Sequence, residues 1–246
     1  MRRRRVALPI VLGLPDSVTV GLFDLDGVLT STAVLHRKAW KTAFDAYLRE
    51  QVGEDFTPFT EQDYLDYVDG RPRDDGVRAF LTARGIDDVD AHTVETIGGG
   101  KNEMFLTELE RGEVSPYPGS VRYLQAAQEA GLRIAVVTSS KNGAAVLDAA
   151  GLSTFVEVRV DGLETAAAGL RGKPAPDSYL LGAQRMGVEP AAAAVVEDAI
   201  SGVQAGVAGH FGYVVGIDRV GGTQAASMTA AGASIVVNDL EELLTT

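Results

Sequence analysis

There is no cysteine among the 246 residues. That excludes disulfides, a thiolate nucleophile and any Cys-ligated metal, and it fits a reducing cytoplasm. Long hydrophobic runs are missing too. Apolar residues make up 46% of the chain, yet none of their runs approaches the ~18 residues a membrane span needs. The chain reads as soluble and globular, long enough for one large or two modest domains. Basic residues are scarce. Against 34 acidic residues stand 22 Lys and Arg, a net charge of −12, and no basic stripe concentrates them. Nucleic acid and anionic membrane are therefore excluded as main partners. An anionic substrate must be held by a few placed cations or a metal, because the overall field repels it. A phosphate-cradling P-loop is also absent.

The first stretch, "MRRRRVALPIVLGLP", superficially resembles a signal peptide. Its apolar part is short, is broken by Pro9 and Pro15, and leads to no A-x-A-like site. Residues 1–15 are read as a flexible leader.

What the chain has is rhythm. "VTVGLFDLD", "LRIAVVTSS", "FVEVRV", "AAAAVVEDA", "FGYVVGID" and "ASIVVND" are short apolar runs bounded by Gly or polar residues. Runs of this kind are strands buried on both faces. Helical segments at about Ser120–Gly131, Asn142–Gly151, Pro176–Gly187 and Ile200–Ala208 lie between them. Alternating β and α predicts an α/β fold, a doubly wound parallel sheet. From Thr32 to about Gly112 the rhythm stops. That stretch holds helical patterns only, "AVLHRKAWKTAFDAYLRE", "TEQDYLDYVDG", "DDGVRAFLTARG" and "KNEMFLTELERG". The expectation is a core of residues 16–31 and 114–246, with an α-helical cap domain, 32–113, inserted after the first strand. "SPYPGS" reads as the return linker.

The strand ends carry the chemistry. "FDLDG" places Asp24 and Asp26 two residues apart, on one face of a strand. Ligands of such sheets sit beyond the carboxyl ends of the strands. A turn explains one Asp beside Gly27, but not the second. Two clustered acids repel unless a cation joins them, and a hard ion such as Mg²⁺ suits oxygen ligands. "VVTSS" puts Thr138, Ser139 and Ser140 at the next strand end, as a helix cap or an anion site. "GKPAPD" offers Lys173, a surface lysine or a phosphate contact. "VVEDA" gives a second acid pair, Glu197 and Asp198, which could also be a cap. Each is ambiguous alone. Together, gathered at one sheet edge, they suit phosphoryl transfer.

These four segments, "FDLDGVLT", "VVTSS", "GKPAPD" and "VEDAISGVQAG", resemble the motifs of the haloacid dehalogenase superfamily. The helical insert resembles that of the subfamily holding β-phosphoglucomutase and small phosphatases. The resemblance implies Asp24 as the nucleophile that becomes an aspartyl-phosphate, and Asp26 as general acid/base. It implies Thr138 and Lys173 as holders of the transferring group. Mg²⁺ would be bound by Asp24, the Asp26 carbonyl, Glu197 and Asp198. In the cap, the family's pattern assigns His36 to coupling sugar binding with closure, Arg73 to a far phosphate and Lys101 to the sugar phosphate. Ser140, Lys141 and Asn142 form the core side of that distal subsite. These cap matches favour a mutase over a phosphatase. Arg71, Pro72, Gly76 and Thr138 depart from the usual residues, and "EQVGEDFTPFTEQ" and "TIGGG" look like additions. The substrate expected is a phosphorylated sugar, and a monomer is the default.

Overall fold

Most strands of the sheet are short runs in which odd and even residues both find apolar partners. In the computed structural model, which describes residues 12–112 and 114–244, six strands form one parallel sheet in the order β3-β2-β1-β4-β5-β6. They are β1 (Val20–Phe23), β2 (Arg133–Val137), β3 (Val158–Val160), β4 (Ala193–Glu197), β5 (Tyr213–Ile217) and β6 (Ile235–Val237). Register is set by pairs such as Phe23 with Val136 on one side and with Val196 on the other.

The helices between the strands cover both faces. Phe23, Ile134, Val136, Ala194 and Val196 pack toward α5 (Pro118–Glu129) and α6 (Gly143–Ala149). Val20, Leu22, Ala135, Val137, Ala193 and Val195 face the other way, toward the later helices of the core. All six expected strands are present, and the expected doubly wound sheet is observed. Strand order reverses between β1 and β4, which opens a crevice at their carboxyl ends.

Helical structure fills the insert. It comprises α1 (Thr32–Val52), the single turn α2 (Glu61–Asp63) running into a π-type turn (Tyr64–Val68), α3 (Arg73–Ala83) and α4 (Ala91–Glu110). Its apolar residues form a core of their own, with Trp40, Phe44, Phe59 and Phe80 stacked or edge-on at 4.3–5.0 Å between ring centroids. The segment "TIGGG" adds no loop. Gly98–Gly100 run through the middle of α4, and at Gly98 a Cβ would meet the Arg73 side chain at 2.9 Å.

The two chain segments joining insert and sheet lie side by side. Ser31 N–H and hydroxyl both donate to the Ser115 carbonyl, and Tyr117 N–H donates to Leu29 O at 2.9 Å. Beyond them the core continues with α7 (Gly162–Ala167), α8 (Asp177–Met186), α9 (Ile200–Ala208) and α10 (Gln224–Ala230). The leader expectation covers residues 1–11, which lie outside the described residues. Residues 12–15 do not fit it. Leu12 and Leu14 pack on the core, and Tyr123 hydroxyl donates to Leu12 O at 2.9 Å.

Phe44 is fully buried at the centre of the cap's aromatic cluster. Phe44→Ala is expected to destabilise the cap by about 3–5 kcal/mol. Urea unfolding followed by the fluorescence of Trp40, the sole tryptophan, checks this.

Candidate active site

At the crevice, the ends of three core segments and the inner face of the cap form a cleft. Lining it from the core are Asp24, Asp26, Thr138, Ser139, Ser140, Lys141, Asn142 and Asp198. His36, Arg73 and Lys101 line it from the cap. Of the residues expected from sequence, only Lys173 and Glu197 are not at its surface. They lie just behind Asp24, each almost wholly buried.

β1 stops at Phe23, so Asp24 leaves the sheet with its N–H still donating to Val196 O at 2.9 Å. Lys173 Nζ donates to Asp24 Oδ1 at 2.6 Å and contacts Glu197 Oε1 at 2.5 Å. Two carboxylates hold this ammonium charged, its pKa raised despite burial. Asp24 and Asp198 titrate well above ordinary carboxyl values. Burial is the main cause in both, Lys173 opposes it, and neighbouring carboxylates add to it.

One oxygen each of Asp24, Glu197 and Asp198 lie within 4.8 Å of one another. A single lysine does not neutralise this all-oxygen cluster, and a hard divalent cation would. Gly27 is part of the fit. It has φ +91°, and a Cβ there would come within 1.7 Å of Asp198 Oδ2.

Asp26 has a different environment. Thr32 hydroxyl donates to its Oδ1, Thr138 hydroxyl donates to its Oδ2 at 3.4 Å, and His36 Nε2 stands 3.3 Å away but off the hydrogen-bond axis. Burial alone would raise its pKa. The electrostatic pull of His36, the Thr32 hydrogen bond and the Lys101 charge behind them bring it down to about 2. In the substrate-free protein Asp26 is therefore ionised, ready to accept a proton.

His36 and Lys101 touch each other through His36 Nδ1, with His36 stacked on Phe105 at 4.1 Å. Burial and the Lys101 charge lower the His36 pKa. Burial first, then the Arg73 charge, lowers that of Lys101 to about 7.

The far end of the cleft is cationic and spans both domains. Arg73 Nη2 and Asn142 Nδ2 both donate to Asn102 Oδ1, at 2.7 and 2.9 Å. Lys141 approaches Asp74 at 3.7 Å.

The cap loop carrying Arg71 and Pro72 is seated on the core. Ser139 hydroxyl donates to Gly70 O at 2.8 Å and Ser201 hydroxyl to Asp69 O at 2.9 Å. Pro72 lies against Gly172, where a Cβ would come within 2.0 Å.

Sequence reasoning missed Trp40, Tyr64, Val68, Asp69 and Gly70, all lining the cleft. Only Trp40 had a signal, its place one helical turn after His36 on α1. Gly76, where the family pattern has a small hydroxyl residue toward the sugar, lies in α3, and a Cβ there would meet Val68 Cγ1 at 3.4 Å.

A family model of haloacid dehalogenase-like hydrolases matches residues 19–210. β-Phosphoglucomutases of Mycobacterium bovis and Mycobacterium tuberculosis are 52% identical, aligned over 95% of this chain and 94% of theirs. Hexitol phosphatase A of Escherichia coli is 32% identical over 76% of this chain and 77% of its own. The solved β-phosphoglucomutase of Clostridium difficile superposes with a TM-score of 0.75, covering 92% of this chain and 93% of its own. At 22% identity, that last likeness speaks for the fold.

The Lys101 ammonium yields a pH prediction. Its folded pKa of about 7 lies below the ordinary 10.5. Between those values the unfolded chain binds more protons, so stability rises with pH over that window. Lys101→Met should remove this rise, measured as urea midpoints from pH 7 to 10 for both proteins.

Proposed function

Since the chain belongs to the haloacid dehalogenase-like hydrolase family, we propose that it is a β-phosphoglucomutase, interconverting β-glucose 1-phosphate and glucose 6-phosphate through the 1,6-bisphosphate. The observation that carries this reading is the cleft's two-ended design. One end gathers Asp24, Asp26, Asp198 and, behind them, Lys173. The other gathers Arg73, Lys141 and Asn142 from both domains. A sugar whose own phosphate sits at the far end while its free hydroxyl meets phosphorylated Asp24 uses both ends, as does the bisphosphate, whereas a phosphatase's monoester places its one phosphate at Asp24 and leaves the far end unfilled.

Asp24 starts phosphorylated. The C6 hydroxyl of β-glucose 1-phosphate attacks the phosphorus, its proton passes to Asp26, and the bond from phosphorus to Asp24 breaks. The bisphosphate turns end for end. Asp24 then attacks the phosphorus at C1, and Asp26 returns its proton to the leaving C1 oxygen, giving glucose 6-phosphate and phosphorylated Asp24. Lys173 and Thr138 sit where they steady the transferring group. When bound, Mg²⁺ held by Asp24, Asp198 and the Asp26 carbonyl, with Glu197 beside them, would offset phosphoryl charge.

Water competes with the sugar hydroxyl at the aspartyl-phosphate, so a mutase needs a cap that closes. Residues 32–113 serve as that cap in this reading, and the Ser139–Gly70 and Ser201–Asp69 bonds support a seated state. His36 and Lys101 join cap to Asp26 and carry sugar binding to that carboxylate. A cytoplasmic enzyme fits a phosphorylated sugar, which membranes retain, and a monomer fits a cleft lined by one chain.

β-Glucose 1-phosphate with Mg²⁺ and a trace of bisphosphate should yield glucose 6-phosphate and little free phosphate. Free phosphate without isomerisation would sink the mutase in favour of a phosphatase. Arg73→Ala should slow mutase turnover on the order of 10–100-fold, as loss of a charge-assisted bond predicts. It should leave hydrolysis of a small aryl phosphate within about threefold. Steady-state assays with the two substrates separate these.

A further inference from the structure

Tyr179 does not line the cleft, yet it is tied to the cleft's chemistry. It is fully buried on α8. Its hydroxyl donates to Glu197 Oε1 at 2.6 Å. The same oxygen contacts Lys173 Nζ at 2.5 Å, and Lys173 reaches Asp24 Oδ1 at 2.6 Å. The second Glu197 oxygen accepts from Ala199 N–H at 3.2 Å. The ring of Tyr179 lies under the Lys173 ammonium, 5.0 Å from nitrogen to centroid. One side chain thus touches the lysine with its face and the glutamate with its hydroxyl.

A phenylalanine would fill this space equally well. A buried hydroxyl without a partner is costly, so this one is there for the bond it makes. Burial and the charges of Glu197 and Asp24 keep the phenol well above its ordinary pKa, so it stays a donor. Glu197 needs the tether. At Gly202 a Cβ would come within 1.9 Å of its carboxyl, so the glutamate lies over bare backbone there. Lysine, a point charge on a flexible stem, does not set its own direction.

We infer that Tyr179 is a positioning residue: its phenol fixes Glu197, and through Glu197 aims the Lys173 ammonium at Asp24. The inference rests on the reading of Asp24 as phosphoryl acceptor. It also gives Glu197 a task distinct from that of Asp198. Asp198 faces the cleft, whereas both Glu197 oxygens already hold donors.

The test is Tyr179→Phe in the full-length protein with Mg²⁺. Two readouts are taken beside thermal stability: steady-state kinetics on β-glucose 1-phosphate, and binding of beryllium trifluoride, which mimics a phosphoryl group on a carboxylate. Loss of one aiming bond should lower kcat about tenfold with KM within about twofold, since Tyr179 touches no substrate. Beryllofluoride affinity should fall by a similar factor. Tyr179→3-fluorotyrosine keeps the donor and should restore both. Should the phenylalanine protein not fold, 3-fluoro- and 3,5-difluorotyrosine at this position grade the donor, and kcat should follow phenol acidity. Wild-type kcat and beryllofluoride binding in Tyr179→Phe, a loss confined to KM or thermal stability, or a flat fluorotyrosine series would overturn the inference. A wild-type protein that binds no beryllofluoride would instead overturn the phosphoryl-acceptor reading, and this one with it.

Discussion

Lys173 is the ammonium on which the site's other charges depend. Asp24, Glu197 and Asp198 crowd together out of water, an arrangement electrostatics opposes strongly. Lys173 contacts two of them directly, and its single positive charge leaves negative charge that a hard cation would offset. The sheet exists in the form that makes this possible. Strand order reverses at β1 and β4, so the acids of both strands meet in one crevice. Gly27 and Gly202 remove the side chains that would keep Asp198 and Glu197 out.

Asp26 is separated from this cluster chemically while remaining next to it. Its partners are hydroxyls and, from the cap, His36 with Lys101 behind it, so it is ionised where Asp24 and Asp198 resist ionisation. Two carboxylates two residues apart thereby acquire different work. The difference comes from α1 and α4, which bring His36 and Lys101 over the crevice. The cap is part of the acid–base chemistry as well as a cover.

The core was legible because buried parallel strands have a plain signature. Val20, Leu22 and Val195 face one side of the sheet and Val136 the other, so their runs are apolar throughout, and the flanking Gly and polar residues mark them as strands. The strand-end polar residues followed from topology. The cap's contributions were less so. Asp69, Tyr64 and Val68 come from a π-type turn and the loop after it, whose direction no helical periodicity predicts. Asn102 joins Arg73 to Asn142 only because α4 crosses α3 beside the core, a tertiary fact. Tyr179 read as one more apolar residue of a helix, since its hydroxyl acquires meaning only once Glu197 lies opposite. Residues 12–15 were set aside with the proline-broken leader, though Leu12 and Leu14 are partly buried against the core.

The paired linkers at Ser31 and Ser115 have an effect on the protein's history as well as on its shape. Both ends of the helical insert leave the sheet at one spot, joined to each other by their own backbone bonds. Seen from the sheet, the eighty-odd residues between them amount to a decorated loop. A different insert with the same entry and exit would leave strand register, the buried lysine and the carboxylates where they are. An exchanged insert would carry away Arg73 and the His36 and Lys101 surroundings of Asp26, while Lys173 and the cluster of Asp24, Glu197 and Asp198 would stay with the sheet.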